Sequence, residues 1–422
     1  MTTPLPYQHS NVRAIVNSIR ARRSHLDCSS TGCGKTYMSL FAAKEVSQNV
    51  VVIAPISVHN DWREAAEKTG ARVLWIANIE ALKRSDALTS SVVRKKKIYT
   101  WNPVPLDTVL IVDEFHRCGG NSEYSQIVRD FPNKGRTIML SATPCDSVLK
   151  VKTLAAVLGI CPPNLFWSWV QKTYKARKGF FGGLQISKAN DKAALVDFRE
   201  RMVRSGQISG LVKSELGDAF PKVQVLTKVV DVANPRELDR AYLEDLKALQ
   251  EQADDAENQA VAFLRSRQMA EMSMIPTIEE QIDLLTEQGF RVIVFVNYKA
   301  TLHAIPNLEV RYHGELPADL RLSCVQMFQR DEVKTFGATS SCGGESITLD
   351  DQDGDKPRAI MLCPGVSARE VIQCIGRGNR AKSKSDLLVY ILFPNCPSGE
   401  RIRSIVASKT DRLESLVDTD LM

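Results

Sequence analysis

Eight short apolar runs, in two groups of four, constrain this chain more than any other feature. The first group is Val50–Ala54, Arg72–Ile76, Thr108–Val112 and Arg136–Leu140. The second is Arg291–Val296, Val333–Thr339, Arg358–Cys363 and Asp386–Phe393. Continuous apolar runs of strand length suit strands buried on both faces, which is the signature of parallel sheets covered by helices. Helical stretches between the runs complete βαβ units, so the expected fold class is α/β, with two doubly wound parallel-sheet lobes and helical insertions between them. A length of 422 residues is too great for one core and suits two or three domains.

The expected boundaries are 1–147 for the first lobe, 148–222 for a helical extension of it, 223–290 for a helical start of the second lobe and 291–422 for the second lobe. Val12, Ile15, Val16 and Ile19 fall on one face of a first helix. Asn234, Pro235 and Glu237 read as a helix start with a capping box, followed by a buried stripe of Leu238, Tyr242, Leu246 and Leu249. The acidic stretch Asp350–Asp355 reads as a surface loop.

Composition narrows the class without deciding it. Hydrophobic residues at 44% and charged residues at 25% are ordinary for a soluble globular chain. No apolar run reaches the roughly 18 residues of a membrane span, and Met1–Ser10 lacks a secretory pattern, so a cytoplasmic or nuclear location is expected. The ten cysteines form no C-x-x-C pair and do not cluster with the six histidines, which argues against a disulfide framework and a zinc site. A net charge of +6 is compatible with a polyanionic partner.

Ser29-Ser30-Thr31-Gly32-Cys33-Gly34-Lys35-Thr36 is the strongest local signal, followed by a helix through Leu40. A phosphate-cradling loop needs glycines so that backbone N–H groups converge on the anion. It also needs a lysine for the β and γ oxygens, a hydroxyl for Mg2+, and a helix N-terminus behind it. Ser30, Thr31, Gly32, Cys33, Gly34, Lys35 and Thr36 are therefore candidate ATP ligands, with Thr36 on the metal. Ser29 stands where the general pattern has its first glycine. Cys33, inside the loop, is expected to be alkylated with loss of hydrolysis and protected by ATP.

Val109–Val112 runs into Asp113-Glu114-Phe115-His116. A buried strand ending in two carboxylates places them at the edge where phosphates bind in α/β sheets. Asp113 would hold Mg2+, and Glu114 would orient and deprotonate the attacking water. The order and spacing of loop and acid pair turn two weak signals into one strong one.

Here the residues carry a resemblance. Asp113-Glu114-Phe115-His116 resembles the DExH box of the superfamily-2 helicases, and Leu140-Ser141-Ala142-Thr143-Pro144 resembles their third motif. Pro6-Tyr7-Gln8 is similar to an N-terminal adenine-reading element, and Val52–Pro55 with Ser57, Val58 and Trp62 to motif Ia of the Swi/Snf-type double-strand DNA translocases. In the second group, Tyr312-His313-Gly314, Phe328-Gln329 and Ser340–Leu349 resemble later motifs, and Gln373-Cys374-Ile375-Gly376-Arg377-Gly378-Asn379-Arg380 resembles motif VI. The resemblance spans residues 6–380 and implies two RecA-like lobes, ATP with Mg2+, and adenine contact by Gln8. It also implies catalytic parts for His116, Gln373, Arg377 and Arg380 beside Glu114. Three residues apart on a helix, Arg377 and Arg380 would both face the γ-phosphate and stabilise the charge that hydrolysis builds.

The expected function is an ATP-driven nucleic-acid helicase or translocase, acting on DNA rather than RNA by the Swi/Snf-type resemblance. A monomeric motor is expected, with room for a protein partner that targets it and no membrane partner. Arg94-Lys95-Lys96-Lys97 before Tyr99 and Trp101 offers cations and aromatic faces to a polymer. Lys172, Lys175, Arg177 and Lys178, interleaved with Trp169, Tyr174, Phe180 and Phe181, form a second such run. Trp167 and Trp169 read as packing residues. Two other classes remain: an ATP-switched scaffold, and an RNA helicase subunit that acts with a partner.

Overall fold

The structure, a computed structural model, describes residues 2–93, 95–119, 122–179, 183–217, 220–232, 234–251, 264–344, 347–381 and 383–417; for residues 214, 246, 248–251 and 415–417 it describes the backbone alone. Arg94, Phe180, Phe181, Glu345, Ser346 and the side chains of Leu246 and Leu249 thus lie outside the described parts. The chain divides into two compact units, Met1–Gly217 with Asp411–Leu421, and Asp218–Thr410.

In the first unit, strands β1 (His25–Asp27), β2 (Val50–Ile53) and β3 (Val73–Ala77) precede an antiparallel hairpin of β4 (Leu88–Val93) and β5 (Lys96–Trp101). Strands β6 (Val109–Val112) and β7 (Thr137–Leu140) follow, then a small pair β8 (Arg177–Lys178) and β9 (Leu184–Gln185), and β10 (Ile208–Ser209). The main sheet has the order β10-β1-β7-β6-β2-β3, and every pairing in it is parallel. Val109, Leu110, Ile111 and Val112 are fully buried. Each such aliphatic side chain contributes about 1.5–3 kcal/mol by leaving water, which is why these continuous runs can only be central strands.

The first helix, His9–Arg20, buries Val12, Ile15, Val16 and Ile19 and packs on the helix Lys35–Val46 that follows the glycine-rich loop. Further helices lie at Lys152–Val157, Phe166–Tyr174 and Lys188–Arg204. The last of these starts at Ser187, whose side chain caps Asn190 N–H.

The second unit opens on β11 (Val223–Val230), an eight-residue strand. Helix was expected across 223–290, so this is a correction. The segment Val223-Gln224-Val225-Leu226-Thr227-Lys228-Val229-Val230 is rich in β-branched residues, and at the edge of the sheet it pairs along its whole length with the last strand of the chain. The helices Pro235–Glu251, Leu264–Met272 and Ile275–Glu287 do follow. Strands β12 (Arg291–Val296), β13 (Val310–Tyr312), β14 (Thr335–Thr339), β15 (Arg358–Leu362) and β16 (Leu387–Pro394) complete a second all-parallel sheet, β11-β16-β15-β12-β14-β13.

Two smaller expectations also change. Asn234 takes φ +60, a left-handed conformation rather than the extended one usual at a helix start, although the helix does begin at Pro235. Asp350 and Asp351 are buried rather than solvated. Ser383 Oγ donates to Asp350 at 2.9 Å, and the N–H groups of Asp353 and Gly354 donate to Asp351 at 3.2 and 2.9 Å. A local turn at Asp351 and a hydroxyl brought in from Ser383 thus supply donors to carboxylates that a charge count assigns to water.

Candidate functional site

Strand order builds the site of the first unit. β1, β7 and β6 are neighbours in that sequence. Being parallel, they end at one edge, where they release Cys28–Thr36, Ser141–Thr143 and Asp113–His116 side by side. The loop after β1 turns through Gly32 at φ +86 and Gly34 at φ +87, values that cost a side-chain-bearing residue dearly. At Gly34 a Cβ would also meet Gln8 Nε2 at 2.5 Å. Gln8 itself is buried and donates to Cys33 O at 3.0 Å, so the N-terminal segment lies against the loop. Lys35 Nζ reaches back to Ser29 O at 2.7 Å and Ser30 O at 3.2 Å. Thr36 sits in the first turn of the following helix.

Ser29 explains its own departure from the glycine pattern. Its hydroxyl donates to the buried Asp27 carboxylate at 2.5 Å and accepts from Leu211 N at 3.0 Å, while Asn11 Nδ2 donates to the other Asp27 oxygen at 3.1 Å. Burial pushes the Asp27 carboxyl up, against the opposing pull of Lys35 and these hydrogen bonds. The loop is therefore clamped at its root to β1, the first helix and the chain after β10.

Asp113 accepts from Trp62 Nε1 at 3.1 Å and from Glu114 N at 2.9 Å. Burial, then the adjacent Glu114 charge, push the Asp113 carboxyl up to about 6. Two crowded carboxylates beside a hydroxyl-bearing helix start are an oxygen donor set that suits a hard divalent cation. Glu114 is held at φ +47, a left-handed conformation rare outside glycine and found at functional sites. Its Oε2 lies 3.1 Å from His116 Nδ1, which lies 3.3 Å from Ser141 Oγ. Glu114, His116 and Ser141 form one polar chain from the acid pair to the loop after β7.

In the second unit, the helix Ala368–Gly378 begins at Ser367, whose side chain accepts from Glu370 N at 3.3 Å. Gln373 and Arg377 are buried on it. Arg377 donates to Gly344 O at 3.0 Å and Ile347 O at 3.4 Å, and Arg380 to Ile347 O at 2.8 Å. The shared-helix geometry expected for the two arginines is corrected: the helix stops at Gly378, and Asn379 is extended. A Cβ at Gly378 would meet Leu387 Cδ1 at 2.8 Å, so the chain is pressed against β16 there. The arginines converge by a turn rather than by helical spacing. Gln329 Nε2 donates to Thr348 O at 2.7 Å, tying one more resembling segment to the same loop.

Comparison with known proteins adds the family. Residues 1–146 match the family described as type III restriction enzyme, res subunit, and residues 273–382 match the helicase conserved C-terminal domain. The chain belongs to the superfamily-2 helicases and translocases. A protein of Acanthamoeba polyphaga mimivirus, provisionally named an ATP-dependent RNA helicase, is 26% identical to this helicase over 99% of the chain and 84% of its own length. The helicase domain of Pyrococcus furiosus Hef shares the fold, with a TM-score of 0.50 and 15% identity over 95% of this chain and 97% of that one. A Sulfolobus solfataricus SWI2/SNF2 ATPase core in complex with duplex DNA aligns with a TM-score of only 0.39 at 14% identity, over 99% of this chain and 97% of its own, too low to carry any argument.

In this helicase most of the aromatic residues expected beside the polymer are packed into the core. Tyr99 and Trp101 are buried, and Trp101 Nε1 donates to Ile127 O at 2.8 Å, so neither ring is offered to a base. Tyr174 is buried too, with its hydroxyl donating to Asp197 at 2.8 Å, and Trp169 packs edge-on against Tyr174 and Phe198. Trp167, read as a packing residue, packs edge-on against the buried Phe166 with Lys152 over its ring, while about a third of its surface stays exposed. Cys33 is fully buried, and burial raises its thiol. This reverses the expected alkylation, because the thiolate is the reactive form and reagent must reach it. Sequence reading missed Asn11, Asp27 and Leu211 around the loop and the role of Trp62 as donor to Asp113; only the proximity of Asp27 to the loop could have hinted at it.

Proposed function

We propose that the helicase hydrolyses ATP with Mg2+ at the edge formed by β1, β6 and β7 and uses the cycle to move along a nucleic acid. Lys35 and the loop N–H groups hold the phosphates, Thr36 and Asp113 hold the cation, and Glu114 takes the proton of the attacking water. The bound cation supplies charge neutralisation at the phosphates. Gln8 reads the adenine, and Gln373, Arg377 and Arg380 answer the nucleotide state, the arginines stabilising charge on the γ-phosphate. His116 passes the state of Glu114 to Ser141. One observation carries this reading: phosphate loop, acid pair and the Ser141 loop lie together, with the Glu114–His116–Ser141 chain joining them.

The motif resemblance favours duplex DNA as the track. An RNA track is the second reading, favoured by the name of the mimivirus relative. Among the described residues no helix is long and apolar enough to cross a membrane. A displacement assay tests the motor: the enzyme is given ATP and either a third strand bound to duplex DNA or a protein block on single-stranded DNA or RNA. ATP-dependent release from one polymer names the track. Hydrolysis with release from none of them supports the ATP-switched scaffold instead.

A further inference from the structure

The β4–β5 hairpin stands out on the first unit because its two ends behave oppositely. At its base Leu88, Tyr99 and Trp101 are buried in the main core. Tyr99 N donates to Gln126 Oε1 at 3.1 Å, and Gln126 Nε2 donates to Tyr99 O at 2.7 Å. With the Trp101 bond to Ile127, this fastens the hairpin to the helix Glu123–Arg129, the first α-helix after the acid pair. At its tip Val92 is 73% exposed, Val93 48%, and Lys95, Lys96 and Lys97 are all exposed. Six residues per strand make an arm about 20 Å long.

The charge of the tip is unbalanced. Lys83, near the base, is neutralised by Glu80 at 2.9 Å and Glu123 at 2.6 Å. Among the described residues no carboxylate lies within ion-pair distance of Lys95, Lys96 or Lys97. Pairing of Val92 with Lys97 and Val93 with Lys96 puts cations on both faces of the ribbon. The turn itself holds Lys95 at φ +64, where glycine or asparagine is the stable choice for a two-residue hairpin loop. Lys97 Nζ lies over the Tyr99 ring at 5.2 Å, but among the described residues no carboxylate offsets its charge. A lysine kept at a strained turn, beside exposed valines and cations without a carboxylate partner, on a base fastened to the core, marks a surface built for a polyanion.

We propose that the β4–β5 hairpin is a contact arm whose tip lysines hold the sugar-phosphate backbone of the nucleic acid on which this helicase acts. The inference rests on the nucleic-acid reading above and deepens it. The arm binds backbone rather than bases, because its aromatic residues are buried. An acidic protein partner is the competing occupant.

The test uses the full chain and a fluorescent duplex DNA, with the RNA duplex in parallel. Binding is measured over a KCl series for wild type, for the combined Lys95→Gln, Lys96→Gln, Lys97→Gln variant, and for a combined Lys172→Gln, Lys175→Gln, Lys178→Gln control. Each lost phosphate contact flattens the slope of log K against log salt by about 0.9. The hairpin variant is therefore expected to lose about 2–3 in slope and to bind ten-fold or more weakly at low salt. Its polymer-free ATPase and its melting temperature stay at wild-type values, while the polymer concentration for half-maximal stimulation rises. Wild-type binding and slope in that variant, with stimulation of the wild type intact, overturn the arm and leave the motor standing. Equal losses in the control overturn it as well, since they show general charge. A wild type that binds neither polymer overturns both readings.

Discussion

Ser29 Oγ donates to the buried carboxylate of Asp27 at 2.5 Å, and the same hydroxyl accepts from Leu211 N at 3.0 Å. A glycine at position 29 would match the general phosphate-loop pattern better, yet it would leave the Leu211 N–H without its acceptor and Asp27 with one hydrogen bond fewer, its Oδ1 still accepting from the backbone N–H of residue 29 at 2.9 Å. Leaving a buried N–H such as that of Leu211 without an acceptor costs about 1–3 kcal/mol. Ser29→Gly is thus expected to lower stability by that amount in urea unfolding, and to raise the KM for ATP as the loop root loosens. Equal or greater stability in the variant would show that the clamp is idle.

Ser141→Ala removes the far end of the chain that starts at Glu114 and passes through His116. Loss of one neutral hydrogen bond is worth about 1 kcal/mol, or roughly a five-fold change. Polymer-free ATPase should hold near the wild-type rate while stimulation by polymer falls by about that factor. A proportional fall in both would place Ser141 in the chemistry rather than in its coupling.

Cys33 should resist iodoacetamide in the native protein, with or without ATP, because its side chain is fully buried and its thiol is raised. Mass spectrometry of digests after brief labelling reads this directly. Rapid labelling of Cys33 that ATP prevents would mean that the loop is open in solution.

His25 is fully buried, 2.7 Å from Ser209 Oγ, and burial lowers its imidazole to about 3. The unfolded chain takes up a proton near pH 6.5 that the native state refuses, so stability is complete above that pH and falls as pH drops toward 3. At pH 5 the loss from this one group is about 2 kcal/mol. In denaturant titrations at pH 7.5 and 5, the loss of stability on going to pH 5 should be about 2 kcal/mol greater in wild type than in His25→Gln. The same pH dependence in both proteins would remove His25 as the cause.

Legibility followed burial. Most of the eight apolar runs fall on strands because a strand buried on both faces has no choice of residue type, as Val109–Val112 and Arg291–Val296 illustrate; β3 at the sheet edge is the half-buried exception. β1 escaped because His25-Leu26-Asp27 carries a single aliphatic residue, and its two polar side chains are stabilised by contacts far along the chain, Ser209 and Asn11. β11 escaped because it is an edge strand whose partner, β16, lies more than 150 residues later. Within the site, residues at the ends of buried strands were readable, since sheet topology alone delivers Lys35, Asp113 and Ser141 to one edge. Donors that arrive sideways, such as Trp62 to Asp113 and Leu211 to Ser29, depend on helix and loop placement that no local pattern encodes. Tyr99 and Trp101 show the reverse error: aromatic residues beside lysines suggest stacking, but the rings sit at the hairpin's base, buried in the core, while the lysines sit at its exposed tip.

The most direct measurement is the steady-state ATPase rate without polymer and with single-stranded DNA, duplex DNA or RNA, for wild type and Glu114→Gln. The account predicts strong stimulation of the wild type by one polymer and, in the variant, loss of hydrolysis with every polymer while ATP still binds. Hydrolysis that ignores all polymers, or that survives in Glu114→Gln, would contradict it.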